Sequence, residues 1–586
     1  MKVMLLCSSF NGLSQRVWLD LRAAGVDVAV HVGGEAAAMR TAVADHDPDL
    51  VICPYLRHRV PAEVWRFWRT IIIHPGPVGD RGASSLDWAI MDGVRSWGVT
   101  ALQAVEELDA GPVWASLAFR LPASTPSKSS LYNGPVADAA VALVREVVAH
   151  AHNPSFQPRA VDPADPGVPG RLRPTMRQSE RAFSWADPTV HIVTRVRAAD
   201  GSPGVHTRLL GRSVAVFDAH PGPDLAEPDL AEGAPGSVVA RRHGGLLVRT
   251  GDGTVWVGQL KAADAPPGQA IKLPAGMVMS RDVADVPHLQ RTVGQTDRTG
   301  FREITYQRHG RVGVLSFDFY NGAMSTDDCR RLAAAVRRAA ARDTRVLLIH
   351  GGRRTFSNGI HLNVIDAAAD PRAEAWSNIN AIDDVCLEII ACTSQLVVTA
   401  VAGNAGAGGV MLALGADRVL LREGVVVNPH YATMGLYGSE YWTYVLPRRV
   451  GDGPAHDLTA QCLPLDAHQA LGMGLADGVL QGPAAGAEQA ALTYAQSLAA
   501  SDDYREQLRL KRSRRARDER RRPLDTYRLQ ELAEMNRDIF DDRNGFAVAR
   551  RAFVSKQRSP RTATVTRPRR TWTTGTPSLA SGAGPC

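Results

Sequence analysis

Two long stretches of this 586-residue chain alternate short apolar runs with amphipathic segments, and this alternation constrains the fold more than any other feature. Within residues 1–155, the runs that predict buried strands are VMLLC, VDVAVHVG, DLVICP and TIIIHPG. Within residues 300–555 they are RVGVLSFDF, TRVLLIHGG, QLVVTAVAG and DRVLLREGVVVN. Strands that alternate with helices are typical of parallel sheets covered by helices. The sequence therefore predicts a multidomain α/β protein with an α/β domain at each end, the second one closing in terminal helices.

The segments between and after these two domains have a different composition. Residues 156–174 are rich in Pro and Gly, which predicts a linker. Residues 175–290 contain short strands separated by turn signals such as RHGG and TGDGT, which predict a small β-barrel domain. Residues 556–586 have almost no apolar pattern, and we expect a disordered tail there.

Composition and cysteine spacing exclude several classes of protein. Apolar residues make up 45% of the chain, which excludes an intrinsically disordered protein. Because no run of 18 or more apolar residues appears, we expect no membrane-spanning helix. The seven cysteines are scattered without C-x-x-C spacing, so we expect no metal site, no disulfide framework and a cytoplasmic location. The basic stretch 505–523 lacks interleaved aromatic residues, which favours a solvated helix face, or pairing with the phosphates of CoA, over nucleic-acid binding.

His74 is the first candidate catalytic residue. It ends the apolar run TIIIH, and ligands of open α/β sheets bind at the carboxyl ends of strands. Asp109 lies in a turn further along the chain, and a carboxylate beside an imidazole can orient the ring for acid–base catalysis. The spacing alone leaves a second interpretation open, in which Asp109 caps a turn and His74 is a solvated residue at a strand end.

The motifs around these two residues resemble the N10-formyltetrahydrofolate-dependent formyltransferases and hydrolases. The matching residues are His74, Arg81-Gly82, Gly98-Val99-Thr100 and Leu108-Asp109-Ala110-Gly111. The resemblance implies a Rossmann-type catalytic domain in which His74 and Asp109 act on the formyl group of N10-formyltetrahydrofolate and Arg81 contacts the cofactor. Residues 175–290 resemble the small, OB-like domain that follows the catalytic domain in methionyl-tRNA formyltransferase.

One position departs from the pattern of that family. The family has Asn two residues before the His, and Ile72 stands there in this chain. The Asn donates a hydrogen bond to the developing oxyanion, and loss of such a donor costs about 3–4 kcal/mol in comparable acyl-transfer sites. Either protonated His74 or a backbone amide replaces it, or the acceptor is a nucleophile, such as a thiolate, that needs less help.

Two glycine-containing loops in the second α/β region form the other constellation. Gly359-Ile360 follows a predicted strand and turn, and the run NAGAGG at 404–409 lies between a strand and a helix. Successive glycines let backbone amides face one point, and a following helix adds its N-terminal dipole. A nucleotide-binding turn is the alternative, but the run lacks the G-x-G-x-x-G pattern.

Residues 305–480 resemble the crotonase (enoyl-CoA hydratase/isomerase) superfamily through the runs SNGIHLN and NAGAGG. The resemblance implies that the backbone amides of Ile360 and Gly408 hold the thioester oxygen of a CoA ester. Hydratases of the family use two Glu residues to handle water, and these positions fall on Met411 and Tyr431 here. Met is not a base, and Tyr at its usual pKa near 10 is a poor one, so hydration of an enoyl-CoA is not expected.

The remaining ionisable candidates near this predicted pocket are Tyr431 and Glu440, and His361 and His430 are less favoured candidates. Two structural alternatives stay open. Tyr431 could be a core aromatic residue with a satisfied hydroxyl, and Glu440 could be a partner of a helix N-terminus.

The pairing of a formyl-donor site and a CoA-thioester site on one chain resembles that of the HypX/HoxX-type hydrogenase maturation proteins. The resemblance implies formyl transfer from N10-formyltetrahydrofolate to CoA, and then release of carbon monoxide from formyl-CoA for the iron of nickel–iron hydrogenase. Glu440 is the expected base and Tyr431 the expected acid, with the roles open to exchange. Gln15 and Lys128 are expected to contact CoA or folate, and the hydrogenase maturation machinery is the expected partner. Hydrolysis of formyl-CoA to formate and a non-catalytic CoA- and folate-binding scaffold are the alternatives.

Overall fold

The computed structural model describes residues 1–223, 233–266, 269–289 and 301–557. Within these residues the chain forms three regions, each built on its own sheet or pair of sheets. The predicted tail at 556–586 lies outside the described residues, apart from its first two positions. Across the part of the chain that is described, no helix is long and apolar enough to cross a membrane.

The first region is a six-stranded sheet covered by helices. Its strands are β1 (Lys2–Cys7), β2 (Asp27–Val32), β3 (Leu50–Tyr55), β4 (Thr70–His74), β5 (Ser96–Gln103) and β6 (Val113–Arg120). Its helices are α1 (Gly12–Ala23), α2 (Ala36–His46), α3 (Ala62–Trp65), α4 (Ser85–Met91), α5 (Lys128–Leu131) and α6 (Ala137–Ala151). In the order β2-β1-β3-β4-β5-β6 the first four strands are parallel, which confirms the predicted parallel sheet. The last two extend the sheet in antiparallel fashion.

The middle region is an antiparallel sheet. It begins with α7 (Gln178–Arg181) and α8 (Thr189–Ala198) and continues with β7 (Val205–Leu209), β8 (Arg212–Pro221), β9 (Val238–Arg242), β10 (Gly245–Arg249), β11 (Thr254–Ala262), β12 (Leu273–Pro274) and α9 (Ala275–Val278). The strand order is β7-β8-β11-β10-β9, with β12 on β11. The predicted turn RHGG joins β9 to β10 through two left-handed residues, His243 and Gly244, as a tight hairpin requires. The OB-like geometry of this region stays a prediction.

The third region holds two sheets. Its strands are β13 (Ile304–His309), β14 (Val312–Phe317), β15 (Val346–His350), β16 (Thr355–Ser357), β17 (Leu396–Val401), β18 (Asn404–Gly406), β19 (Arg418–Arg422), β20 (Val426–Asn428), β21 (Leu465–Asp466) and β22 (Gly478–Leu480). The larger sheet has the order β13-β14-β15-β17-β19-β22, and the smaller one β16-β18-β20-β21. Most neighbours are parallel, because helices return the chain between strands.

The helices of the third region include the predicted terminal helices. They are α10 (Thr326–Ala340), α11 (Leu362–Ala367), α12 (Pro371–Ala391), α13 (Gly408–Leu414), α14 (Trp442–Val450), α15 (Asp452–Gln461), α16 (Ala467–Gly472), α17 (Ala484–Ala500), α18 (Tyr504–Arg521), α19 (Leu524–Phe540) and α20 (Phe546–Val554). Residues of α12, α13, α14 and α19 share one apolar core. The terminal helices α19 and α20 therefore pack in this core, whereas α17 packs on the larger sheet.

The three regions contact one another through both polar and apolar residues. Arg354 of the third region donates to Ser129 Oγ of the first at 3.1 Å and lies 3.7 Å from Asp200 Oδ2 of the middle one. The hydroxyl of Tyr320 also donates to Asp200, at 3.0 Å. Val426, at the start of β20, packs into the apolar core of the first region.

The segment 156–174, predicted as a linker, packs on the loop that follows β4. The amide of Gly170 donates to the carbonyl of Val78 at 2.9 Å, and the amide of Arg173 donates to the carbonyl of Arg81 at 3.0 Å. The amide of Arg81 donates in turn to the carbonyl of Arg171 at 3.3 Å. The segment therefore supports the loop beside His74, which its composition did not indicate.

Candidate active site

His74 ends β4, and its buried ring lies between two carboxylates. Its Nε2 donates to Asp80 Oδ2 at 2.8 Å, and its Nδ1 lies 3.6 Å from Asp109 Oδ2. Asp80 is buried like His74, whereas the Asp109 side chain is 18% exposed. An imidazole fixed in this way can take up and release a proton in one orientation. The structure thus brings His74 and Asp109 together as predicted, and adds Asp80 as a third member.

Gly76 permits the contact between His74 and Asp80. A Cβ atom at Gly76 would lie 2.3 Å from Asp80 Oδ2 and 2.6 Å from His74 Nε2. The carbonyl of Gly76 accepts a hydrogen bond from Thr100 Oγ1 at 2.8 Å, and that of Pro75 accepts one from Trp97 Nε1 at 2.9 Å. These bonds from β5 fix the loop that presents Asp80 to the imidazole.

Ile72 occupies the position two residues before His74 on the same strand. Its side chain packs against the apolar cluster that contains Leu6 and Val51. The position therefore supplies no hydrogen-bond donor.

Arg81 and Lys128, predicted to contact a cofactor, both form ion pairs within the protein. Arg81 Nη1 lies 2.6 Å from Glu107 Oε1. Lys128 Nζ lies 3.0 Å from Asp87 Oδ2 and donates to the carbonyl of Ser202. The other oxygen of that carboxylate, Asp87 Oδ1, pairs with Arg181. Burial lowers the pKa of Lys128, although Asp87 opposes the shift. Contacts of Arg81 and Lys128 with CoA or folate stay predictions.

The two predicted oxyanion loops adjoin one another. Gly359 is left-handed, with φ of 76°, and the position of a Cβ there is 3.3 Å from the amide nitrogen of Gly408. Gly408 begins α13, so its N–H has no acceptor within the helix. Ala407 turns the chain before it with φ of 46° and ψ of −126°, a conformation that residues with a Cβ rarely adopt. The loop that carries Ile360 and the start of α13 are therefore in contact.

Tyr431 and Glu440 form a buried pair beside these loops. The hydroxyl of Tyr431 donates to Glu440 Oε2 at 2.9 Å, and a Cβ at Gly408 would lie 2.1 Å from Glu440 Oε1. Burial, with the charge of Asp383 second, raises the pKa of Glu440 to about 8. Burial, followed by the charge of Glu440, raises the pKa of Tyr431 well above its usual value. The predicted acid and base are thus hydrogen-bonded to each other and packed against the residue predicted to bind the thioester oxygen.

The other ionisable candidates have different partners. His361 Nδ1 accepts the amide hydrogen of Val364 and caps α11. His430 Nδ1 lies 2.8 Å from the carbonyl of Asn428, so it carries the hydrogen and leaves Nε2 as an acceptor. Burial lowers the pKa of both rings. Met411 is fully buried in the apolar core, where it offers no group to handle water.

A polar cavity of about 190 Å³ lies between the first and third regions. Gln15 of α1 lines it and is held by a hydrogen bond from its Nε2 to the carbonyl of Phe10 at 2.8 Å. On the opposite side, Asn358 and Gly406 line it, and each precedes a predicted oxyanion residue by two positions. Further lining residues are Asn133, Asn404, Asn428 and His430. The cavity therefore joins a predicted cofactor contact of the first region to the oxyanion loops of the third.

Comparison with known proteins assigns all three regions. The formyl transferase model matches residues 31–148, the model of the formyl transferase C-terminal domain matches 175–272, and the enoyl-CoA hydratase/isomerase model matches 321–553. Hydrogenase maturation factor HoxX of Bradyrhizobium diazoefficiens is 42% identical over 564 residues, which is 96% of each chain. The chain belongs to the HypX/HoxX family of hydrogenase maturation factors.

Solved structures and shorter relatives agree with the HypX/HoxX assignment. HypX from Aquifex aeolicus in complex with tetrahydrofolic acid is 36% identical, with a TM-score of 0.91 over 97% of this chain and 100% of that one. Methionyl-tRNA formyltransferase of Anaeromyxobacter dehalogenans is 30% identical over 206 residues, which is 34% of this chain and 62% of that protein. This HypX/HoxX chain thus joins a formyl-transfer part to a crotonase-family domain, as its motifs indicated.

Sequence reasoning missed three carboxylates of this HypX/HoxX chain. Asp80 follows His74 by six residues in the run HPGPVGD, so its nearness to the ring could have been foreseen from the short loop. Asp383 and Glu531 lie on α12 and α19, far from Glu440 in sequence, yet both bond to the turn that carries it. No local sequence pattern marks these two residues. Each lies in a helix, and the element against which that helix packs is known only from the fold.

Proposed function

We propose that this HypX/HoxX chain transfers the formyl group of N10-formyltetrahydrofolate to CoA and then releases carbon monoxide from formyl-CoA. The observation that carries the proposal is the hydrogen bond of 2.9 Å between Tyr431 and Glu440, packed against Gly408. A buried acid–base pair beside an oxyanion amide suits removal of a proton from a small acyl group. The role of the family in hydrogenase maturation supports carbon monoxide, an iron ligand, as the product.

The first step joins the thiol of CoA to the formyl carbon at His74. A C–S bond forms, the bond from the formyl carbon to N10 breaks, and the thiol proton passes through His74 to N10. Asp80 and Asp109 hold the ring for both transfers. A thiolate is a strong nucleophile, which is consistent with Ile72 in place of a donor.

The second step removes carbon monoxide from formyl-CoA at the third region. Glu440 takes the formyl proton, the C–S bond breaks, and Tyr431 protonates the sulfur, while the amides of Ile360 and Gly408 hold the thioester oxygen. The formyl carbon and carbon monoxide have the same oxidation level, so no electron acceptor is needed. A pKa of about 8 suits a base that works near neutral pH, and the direct bond between the two residues returns the proton to Tyr431.

The cavity beside Gln15 suits the pantetheine arm that carries the formyl group. Asn428 lines it, with a buried Oδ1 atom that has no hydrogen-bond partner among the described residues. Its Nδ2 donates to the carbonyl of Cys462 at 3.0 Å, which fixes Oδ1 as the free acceptor. The amide groups of pantetheine supply N–H donors for such an acceptor.

The test is a carbon monoxide assay on the full chain. Purified protein is mixed with N10-formyltetrahydrofolate and CoA, and carbon monoxide is detected as carboxyhaemoglobin while tetrahydrofolate and formate are measured in parallel. We expect carbon monoxide and tetrahydrofolate in equal amounts, both dependent on CoA. Formate in place of carbon monoxide would establish a formyl-CoA hydrolase, and the absence of tetrahydrofolate release would establish a binding scaffold.

A further inference from the structure

The turn that carries Glu440 has an unusual backbone. Glu440 and Tyr441 are consecutive left-handed residues, with φ of 61° and 59°, and both have a Cβ. A left-handed backbone is unfavourable for a residue with a side chain, so two such residues in a row persist only where neighbouring groups hold them. The turn is also the N-cap region of α14, whose cap residue Tyr441 makes no side-chain capping bond. The backbone amides of this turn therefore need acceptors from elsewhere in the fold.

Two buried carboxylates from distant helices supply those acceptors. Asp383 Oδ1, on α12, accepts the amide hydrogen of Glu440 at 2.8 Å. Glu531, on α19, accepts the amide hydrogens of Tyr441 at 2.9 Å and of Thr443 at 2.8 Å, together with the Thr443 hydroxyl. Both carboxylates are fully buried. Glu531 thus caps α14 from a neighbouring helix by accepting its first amide hydrogens. Burial, with the charge of Asp383 second, raises the pKa of Glu531 to about 8.

We propose that Asp383 and Glu531 are positioning residues for Glu440, which hold the left-handed turn so that the Glu440 carboxylate lies against Gly408 and the Tyr431 hydroxyl. The proposal rests on the proposed function, because it concerns the same site. It assigns to α19, one of the terminal helices, a part in catalysis rather than in packing alone. Neither carboxylate is expected to contact the formyl group.

The charges around the turn give Asp383 a second effect. The titratable groups that interact with Glu440 are Tyr431, Asp383, Glu531, Cys386 and Cys329. Arg528 Nε lies 3.8 Å from Asp383 Oδ2. Burial raises the pKa of Asp383 to about 6, with Arg528 opposing the shift. The negative charge of Asp383 is the second cause, after burial, of the raised pKa of Glu440. Replacement of Asp383 by Asn keeps an acceptor for the Glu440 amide and removes this charge.

The test compares Glu531→Gln and Asp383→Asn with a matched control in the full chain. Gln has one acceptor oxygen where the Glu531 carboxylate has two, so one amide of the turn loses its partner. The control is Asp417→Asn, since Asp417 also accepts a backbone amide, that of Val397, and pairs with a terminal helix through Lys511. The measurements are kcat for carbon monoxide, KM for CoA, tetrahydrofolate release, and deuterium exchange of the peptide 437–446.

For Glu531→Gln we expect kcat for carbon monoxide to fall about 10- to 100-fold, since a displacement of 1 Å in a catalytic group can cost about 100-fold. KM for CoA and tetrahydrofolate release should be unchanged, and the turn should exchange faster. For Asp383→Asn the pH at which carbon monoxide release rises should be lower than in the wild type. The maximal rate should stay close to that of the wild type. The Asp417→Asn control should keep the wild-type profile and exchange.

The outcomes separate this proposal from the function on which it rests. Wild-type kcat and unchanged exchange of the turn in Glu531→Gln would overturn the positioning role of Glu531. An unchanged pH profile in Asp383→Asn would overturn the effect of the Asp383 charge on Glu440, and a loss of the wild-type maximum there would contradict the view that an acceptor at this position is enough to hold the turn. If the wild-type protein released no carbon monoxide, the proposed function would fail. Deuterium exchange would then still decide whether Glu531 holds the turn, with faster exchange in Glu531→Gln supporting it and unchanged exchange overturning it.

Discussion

The sites around His74 and Glu440 are both buried, but they differ in how they reach water. His74 faces two carboxylates, and one of them, Asp109, is 18% exposed and can exchange protons with solvent. Glu440 is 2% exposed, and its partners Tyr431 and Asp383 are 5% and 0% exposed. Transfer of a formyl group to a thiol tolerates water nearby, whereas formyl-CoA that meets water gives formate. The comparison suggests that the chain places the water-sensitive step in the drier site.

The largest effect is expected from His74→Ala, which removes the group that we propose moves protons in the first step. Formyl transfer, measured as tetrahydrofolate release, should fall about 10,000-fold, the upper end of the range for acid–base residues. CoA binding should be unchanged, because the cavity that we assign to pantetheine does not include His74. His152→Ala, at an exposed histidine, is the control. Tetrahydrofolate release at the wild-type rate would exclude His74 from the reaction.

Glu440→Gln and Tyr431→Phe should separate the two sites. Gln keeps the shape of Glu440 but accepts no proton, and Phe keeps the ring of Tyr431 but donates none to sulfur. Carbon monoxide release should fall about 100- to 1,000-fold in each, while formyl transfer stays within a factor of two. Glu488→Gln, in the same region and partly exposed, serves as the control. If both variants still released carbon monoxide at the wild-type rate, the base would have to be sought at His430.

The pH dependence should also differ between the two steps. Burial and Asp383 raise the pKa of Glu440 to about 8, so at pH 7 only about a tenth of it is ionised. Because the ionised form is the proposed base, carbon monoxide release should rise about fivefold from pH 7 to pH 8 and level off near pH 9, about tenfold above its value at pH 7. Tetrahydrofolate release in the same samples should not follow this curve. A rate of carbon monoxide release that falls as pH rises would mean that the protonated form of Glu440 is the active one.

The smallest effect on activity is expected from Lys128→Met, whose side chain does not line the cavity beside Gln15. Its ammonium group bonds to Asp87 and to the Ser202 carbonyl, so its loss should lower the free energy of unfolding by about 1–3 kcal/mol. Arg40→Met breaks an exposed pair with Glu63 and should leave the free energy of unfolding nearly unchanged. Urea titration gives both values. A tenfold weaker binding of CoA or folate by Lys128→Met at unchanged stability would instead support the predicted cofactor contact.

Much of the fold was predictable because the pattern is local. The run TIIIH places His74 at a strand end, and glycine-rich loops before a helix indicate amides that face one point, as at Gly408. The packing between distant elements was not predictable. Three features depend on residues that meet only after folding. They are the antiparallel extension by β5 and β6, the support of the loop beside His74 by the segment 156–174, and the bonds of Glu531 to the Glu440 turn.

The fate of the formyl group tests the central claim most directly. N10-formyltetrahydrofolate labelled with carbon-13 and deuterium in the formyl group is mixed with CoA and the full chain, and the gas phase and the solution are analysed by mass spectrometry and NMR. The account predicts carbon-13 monoxide as the main labelled product, with the deuterium released into water after removal by Glu440. Carbon-13 formate that retains its deuterium, as the main product, would contradict it.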